Sequence, residues 1–280
     1  MTSGRVENFL PSTGGFQFEN SFPAGNAYPA IALPVIGTAV SQDVTRGLCG
    51  GFTFAARDLF DSAPRLRPPD ERAAPADGSV LFDYLVARFL ASLGSQTGWA
   101  NTLKIITWTQ VPDLNADVPV PVPGLAWRMV EMEWPDIKAD IDAGHPSPLF
   151  LVLGPQGTVR DVPVIAEALR KCHQVLAYGY DLDRAGNLTL WVYDPNDPGN
   201  DSSTVTLNIS SPDDAITISA PDIEKRLGNV APLRGVFRGD YAWSSPVSLG
   251  TARYPLAIAA TEREPIGASL GFSVICKVAL

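Results

Sequence analysis

"HQVLAYGYDLDRAGNLTLWVYDPN", residues 173–196, reads as two strands and the turn between them. The runs 173–181 and 188–194 are rich in Val, Leu, Tyr and Trp, and Asp, Gly and Asn stand between them. That combination predicts a β-hairpin. A four-residue loop at 183–186 pairs Leu182 with Asn187, and counting outward sets His173 opposite Asn196. A shift of two residues sets it opposite Asp194 instead. Cross-strand side chains on one face stand about 5 Å apart. Either register therefore delivers a carboxylate or an amide to the imidazole.

The hairpin lies in a strand-rich second half. "PLFLVL" (148–153) is a continuous apolar run suited to a buried strand, and "STVTLNI" (203–209) and "LRGVFRGDYAW" (233–243) read as further strands. Helical signals come earlier. In "RGLCGGFTFAARDLF" (46–60), Leu48, Phe52, Ala55, Ala56, Leu59 and Phe60 recur at helical spacing. Ser79 is placed to cap a second helix with Phe82, Leu85, Val86, Phe89, Leu90 and Leu93 on one face. "EWPDIKADIDAG" (133–144) reads as a third, with Pro135 in its first turn and Gly144 at its stop. Helices first and strands second predict an α+β fold with segregated layers. Residues 1–45, rich in Gly, Pro, Ser and Asn, read as an irregular lead-in with at most one short strand. Residues 246–280 read as an appended β segment.

Composition narrows the function. The 280 residues are 45% hydrophobic, enough for a sizeable core. Against 30 Asp and Glu stand 21 Lys and Arg, a net charge of −9 that argues against a nucleic-acid partner. The apolar stretch "AYPAIALPVIGTAV" (27–40) falls short of the ~20 residues of a membrane span and is broken by Pro29 and Pro34. No signal peptide is visible at the start, so a cytoplasmic location is expected. Cys49, Cys172 and Cys276 form no disulfide framework and no C-x-x-C pair. "DPNDPGND" (194–201) superficially resembles a calcium loop, but its prolines break the pattern and a polar turn is expected. There is no G-x-S-x-G and no Gly-rich phosphate loop. No metal and no cofactor is expected.

Cys49 raises the chemical question. A thiol at a helix N-terminus sits in the positive end of the helix dipole, which favours thiolate. Small residues after it, Gly50 and Gly51, allow another chain to come close. The competing reading is a buried cysteine that acts as a small hydrophobe. A nucleophilic cysteine needs a base, and the chain offers only His145, in a turn, and His173. The hairpin gives His173 an orienting partner.

"GLCGGF", "HQVLAYGYD" and "VYDPN", in that order, resemble the papain-like superfamily of cysteine peptidases, closest in flavour to those that cleave bacteriocin leader peptides. The resemblance implies a central helix that begins at the cysteine, with His and Asp or Asn on adjacent antiparallel strands. It makes Cys49 the nucleophile, His173 the base and Asp194 the orienting group, with Asn196 as substitute. It also calls for an oxyanion-stabilising Gln six residues before the cysteine. The nearest here is Gln42, seven before, and Asn20 and Asn26 are the substitutes. The expected catalytic domain is 1–245, acting on a peptide or amide bond of a peptide or protein substrate. A silent peptide-binding domain and an acyltransferase with the same three residues are the alternatives.

Overall fold

A computed structural model of the chain describes residues 1–22, 31–33, 38–40, 47–116, 121–154, 172–228 and 232–246. The elements are β1 (Thr2–Arg5), α1 (Pro11–Gly14), β2 (Ile31–Leu33), β3 (Thr38–Val40), α2 (Cys49–Asp61), α3 (Val80–Ser92) and α4 (Ala100–Gln110). Next come α5 (Leu125–Arg128), a π turn (Met129–Glu133) and α6 (Trp134–Asp142). The rest are β4 (Ser147–Leu153), β5 (His173–Leu182), β6 (Asn187–Tyr193), β7 (Thr204–Asn208), β8 (Ile218–Ser219), α7 (Pro221–Arg226) and β9 (Leu233–Arg238). The fold is α+β.

Seven strands form one antiparallel sheet, six of them in the order β8-β7-β6-β5-β4-β9 and β1 off that path. β1 shares an edge of β5 with β4: β4 pairs with residues 173–177 and β1 with 179–182. The two ends of the path, β8 and β9, approach each other, so the sheet curls. β2 and β3 form a separate hairpin.

Helix α2 lies between α3 and β5, and every residue from Cys49 to Phe60 is buried. The periodic pattern predicted one apolar face; the helix is enclosed on all sides. Phe52 is fully buried, and the rings of Phe16, Phe18 and Phe22 meet it edge-on at 5.4, 5.3 and 6.3 Å. Each such pair adds about 0.5–1.5 kcal/mol beyond the area it buries. Asp58, on the same helix, is the centre of a buried polar knot. It accepts from the Tyr84 and Tyr241 hydroxyls, each at 2.7 Å, and from the Ser244 N–H at 3.0 Å. Arg88 Nε stands 2.6 Å from it as an ion pair without good hydrogen-bond alignment, while Arg88 Nη2 donates to it at 3.1 Å.

Several expectations are corrected. The described part of the lead-in is more ordered than its composition suggests, because β1 gains a partner in β5 and the three phenylalanines gain Phe52. At the turn the hairpin pairs Leu182 with Leu188, not Asn187, but past a bulge at Tyr178 the pairs Ala177–Val192 and Leu176–Tyr193 are those of the counted register, and the ladder ends there, short of His173. The strand expected over 233–243 ends at Arg238, and Tyr241 to Ser244 dock on Asp58 instead. The third helix starts earlier, at Leu125, and reaches Pro135 through the π turn. Proline has no N–H to give to the carbonyl of residue 131, and a π turn accommodates such an interruption. Residues 247–280, expected as a β segment, lie outside the described residues. No described helix is long and apolar enough to cross a membrane.

Candidate active site

Cys49 is the first residue of α2. The leading N–H groups of a helix have no carbonyl four residues back within it, so they and the dipole make this end electropositive. The Leu48 carbonyl accepts from Gly51 and Phe52 at 2.7 and 3.1 Å, which closes the first turn. The two glycines are required by packing. A Cβ on Gly50 would stand 2.0 Å from Ser92 Oγ and 2.4 Å from Gln174 Nε2, and one on Gly51 would stand 2.2 Å from the Leu85 carbonyl oxygen. The helix thus begins wedged against both α3 and β5, which sets the cysteine beside the first residue of β5.

That residue is His173, whose backbone pairs with Leu151 of β4. Its Nε2 lies 2.8 Å from Oδ1 of Asp194, the residue directly after β6. The same carboxylate oxygen accepts the Asn196 N–H at 2.9 Å. Asp194, not Asn196, is therefore the partner of the ring, and Asn196 steadies it from within the loop. Since Nε2 is engaged, Nδ1 is the nitrogen left for Cys49. Nδ1 makes no hydrogen bond of ordinary geometry, yet Cys49 is near enough to act on the ring both as a hydrogen-bonding group and as a charge. Burial opposes the charged ring. The charge and hydrogen bond of Asp194, with Cys49 adding to them, outweigh burial and push the His173 pKa up to about 10. The imidazole holds its proton at neutral pH.

Cys49, His173 and Asp194 are each 1% exposed. Around them cluster buried polar atoms with no hydrogen-bond partner: His173 Nδ1, Gln174 Oε1, Asp194 Oδ2 and Asn196 Nδ2. Orphaned buried groups carry a desolvation cost and tend to gather where a site serves chemistry.

No family model, curated protein or solved structure matches this chain.

The remaining candidates fall elsewhere. Gln42 and Asn26 lie outside the described residues, as does Cys276. Asn20 is described, 7% exposed, and its amide is committed within the protein: Oδ1 accepts the Leu48 N–H and Nδ2 donates to Asn196 Oδ1 at 3.1 Å. His145 is half exposed, 2.9 Å from Asp61, and Cys172 is buried. The "DPNDPGND" loop spends its polar groups locally: Asn200 donates to Asp197 at 2.7 Å, Arg226 pairs with Asp197 at 2.6 Å, and Asp201 accepts from Ser12 at 2.7 and 2.8 Å. Among the described residues no cluster of three or more His, Cys, Asp or Glu is placed to hold a metal. A cavity of about 720 Å³ lined by Arg5, Phe9, Arg67, Tyr178 and Trp191 includes none of the three candidate residues. Gln174 went unnoticed in the sequence; standing next to the histidine was its only signal.

Proposed function

We propose that the chain is a papain-like cysteine hydrolase that cleaves a peptide or amide bond through an acyl-thioester at Cys49. The observation that carries this reading is the histidine held by a carboxylate at Nε2 with its other nitrogen left to a helix-terminal thiol. Sulfur attacks the carbonyl carbon, and the resulting oxyanion meets first-turn N–H groups of α2. His173 gives its proton to the leaving amine as the C–N bond breaks. The neutral ring then takes a proton from water, which attacks the thioester and releases the acid. If an amine enters in place of water, the same groups perform acyl transfer.

The 1% exposure of Cys49 favours a second reading, a catalytically silent domain that binds a peptide or protein. Iodoacetamide at pH 6 separates the two. The hydrolase reading expects Cys49 to alkylate at least ten-fold faster than Cys172 or Cys276, and Cys49→Ala to remove any amide-bond cleavage by the purified chain. Equal labelling of the three thiols rejects it in favour of the silent domain, and cleavage that survives Cys49→Ala rejects Cys49 as the nucleophile.

A further inference from the structure

We propose that Asn20 is a positioning residue that ties the helix of the thiol to the loop of the carboxylate. The inference rests on the poised thiol proposed above.

The three groups of the site come from α2, β5 and the loop after β6. β5 and β6 are hydrogen-bonded to each other, so the sheet sets the spacing of His173 and the loop, and α2 packs on β5, but no hydrogen bond of the sheet crosses the gap between α2 and that loop. Asn20 spans this gap. Its Oδ1 takes the Leu48 N–H, a helix-terminal donor that has no partner inside the helix. Its Nδ2 donates to Asn196 Oδ1 at 3.1 Å, and its own N–H donates to the Pro195 carbonyl at 3.1 Å. Asn196 in turn gives its N–H to the Asp194 oxygen that holds His173. The connection runs from the residue before the sulfur to the carboxylate behind the ring through two side chains. Arg226 braces the loop from outside, donating to the Asn196 carbonyl at 3.3 Å and pairing with Asp197 at 2.6 Å.

Two further observations show a built connection. Asn20 is buried, and its bond to the Leu48 N–H is enclosed away from water. Gly47, one residue before Leu48, has φ +96°, and a Cβ there would stand 2.4 Å from Asn20 Nδ2 and 2.7 Å from its Cγ. The chain leaves out a side chain where one would displace the amide. With its oxygen and one N–H so committed, Asn20 acts through its neighbours and not on a substrate.

The test is the pH profile of Cys49 alkylation by iodoacetamide in the purified full chain, for wild type, Asn20→Ala, Asn196→Ala and the double variant. We expect each single variant to lower the rate at pH 6 about ten-fold and to move the half-maximal pH toward the ~8.5 of a free thiol. Because both side chains form one connection, the double variant falls no further than the singles. A purely structural role would lower the urea midpoint without moving this profile. A poised wild type whose profile is unmoved in folded Asn20→Ala, or losses that multiply in the double variant, overturns the tie alone. If Asn20→Ala does not fold, Asn196→Ala decides, and an unmoved profile there overturns the tie. A wild-type Cys49 no faster than Cys172 and Cys276 overturns both the tie and the reading beneath it.

Discussion

Replacing Gly51 with alanine separates packing from propensity in the helix that presents the thiol. Glycine to alanine inside an ordinary helix stabilises by about 1 kcal/mol. Here the new methyl would sit 2.2 Å from the Leu85 carbonyl oxygen, 3.0 Å from its carbon and 3.3 Å from Phe89 Cβ. Carbon and carbonyl oxygen ordinarily come no closer than about 3.3 Å, so α2 and α3 must part by roughly 1 Å. The obstacle is backbone within α3 and cannot turn aside. Overpacking of this kind costs about 1–3 kcal/mol, and a gap of that size forfeits a quarter to a half of the dispersion along the contact. We take about 3 kcal/mol against and about 1 in favour, a net loss of about 2 kcal/mol. In a chain of this size that lowers Tm by about 4–8 °C. Gly50→Ala is the internal comparison, because its methyl meets side-chain ends, Ser92 Oγ and the Gln174 amide. Adding Ser92→Gly should recover most of the Gly50→Ala loss, whereas no side-chain deletion should recover Gly51→Ala. The measurement is thermal and urea unfolding of the four proteins. A Gly51→Ala chain more stable than wild type would show that α2 and α3 do not meet as described.

Two other perturbations follow from buried charge. A His173 pKa raised from 6.5 to about 10 adds stability that is complete below about pH 6.5 and fades as pH rises toward 10. The stability gap between wild type and Asp194→Asn, from urea unfolding, should therefore be widest near pH 6.5 and narrow toward pH 10; a gap constant over that range refutes the pairing. Asp58→Ala leaves the Arg88 guanidinium buried without its carboxylate and frees Tyr84, Tyr241 and the Ser244 N–H. Losing one member of a buried pair costs about 3–5 kcal/mol, and a loss below about 1 kcal/mol in the unfolding free energy measured in urea would be incompatible with the knot.

The readable parts of this sequence are those whose causes are local. Ser79 caps α3 by accepting the Phe82 N–H at 3.2 Å, and Gly144 stops α6 at φ +82°; both are short-range chemistry written in one or two letters. The meeting of His173 with the "VYDPN" end was within reach of counting because a hairpin is a local object, although the register beside His173 is the one counted toward Asn196 and Asp194 reaches the ring from the loop. The bulge at Tyr178 was not, since an extra residue leaves the alternation of a strand looking almost unchanged. Helix α4 escaped for a different reason. "ANTLKIITWTQ" has three Thr, two Ile and an Asn, poor helix formers, and its start at Trp99 has φ +67°. Burial of Ile105 and Trp108 forms it, together with Asn101, which exchanges hydrogen bonds of 3.0 and 2.8 Å with the Asp240 backbone.

The site divides along the same line. Cysteine, histidine and aspartate announce themselves because few residue types can do their chemistry. The groups that hold them at one spacing are glycines and amides, common letters whose meaning depends on what the fold sets against them. Gly50 and Gly51 look like defects in a helix until Ser92, Gln174 and Leu85 fill the space that their side chains would take. Asn20 looks like part of an irregular lead-in until Leu48 and Asn196 close on either side of it. The spacing between sulfur and ring is therefore a property of three distant stretches at once, so substitutions at residues with no reactive group should disturb the thiol as surely as substitutions at His173.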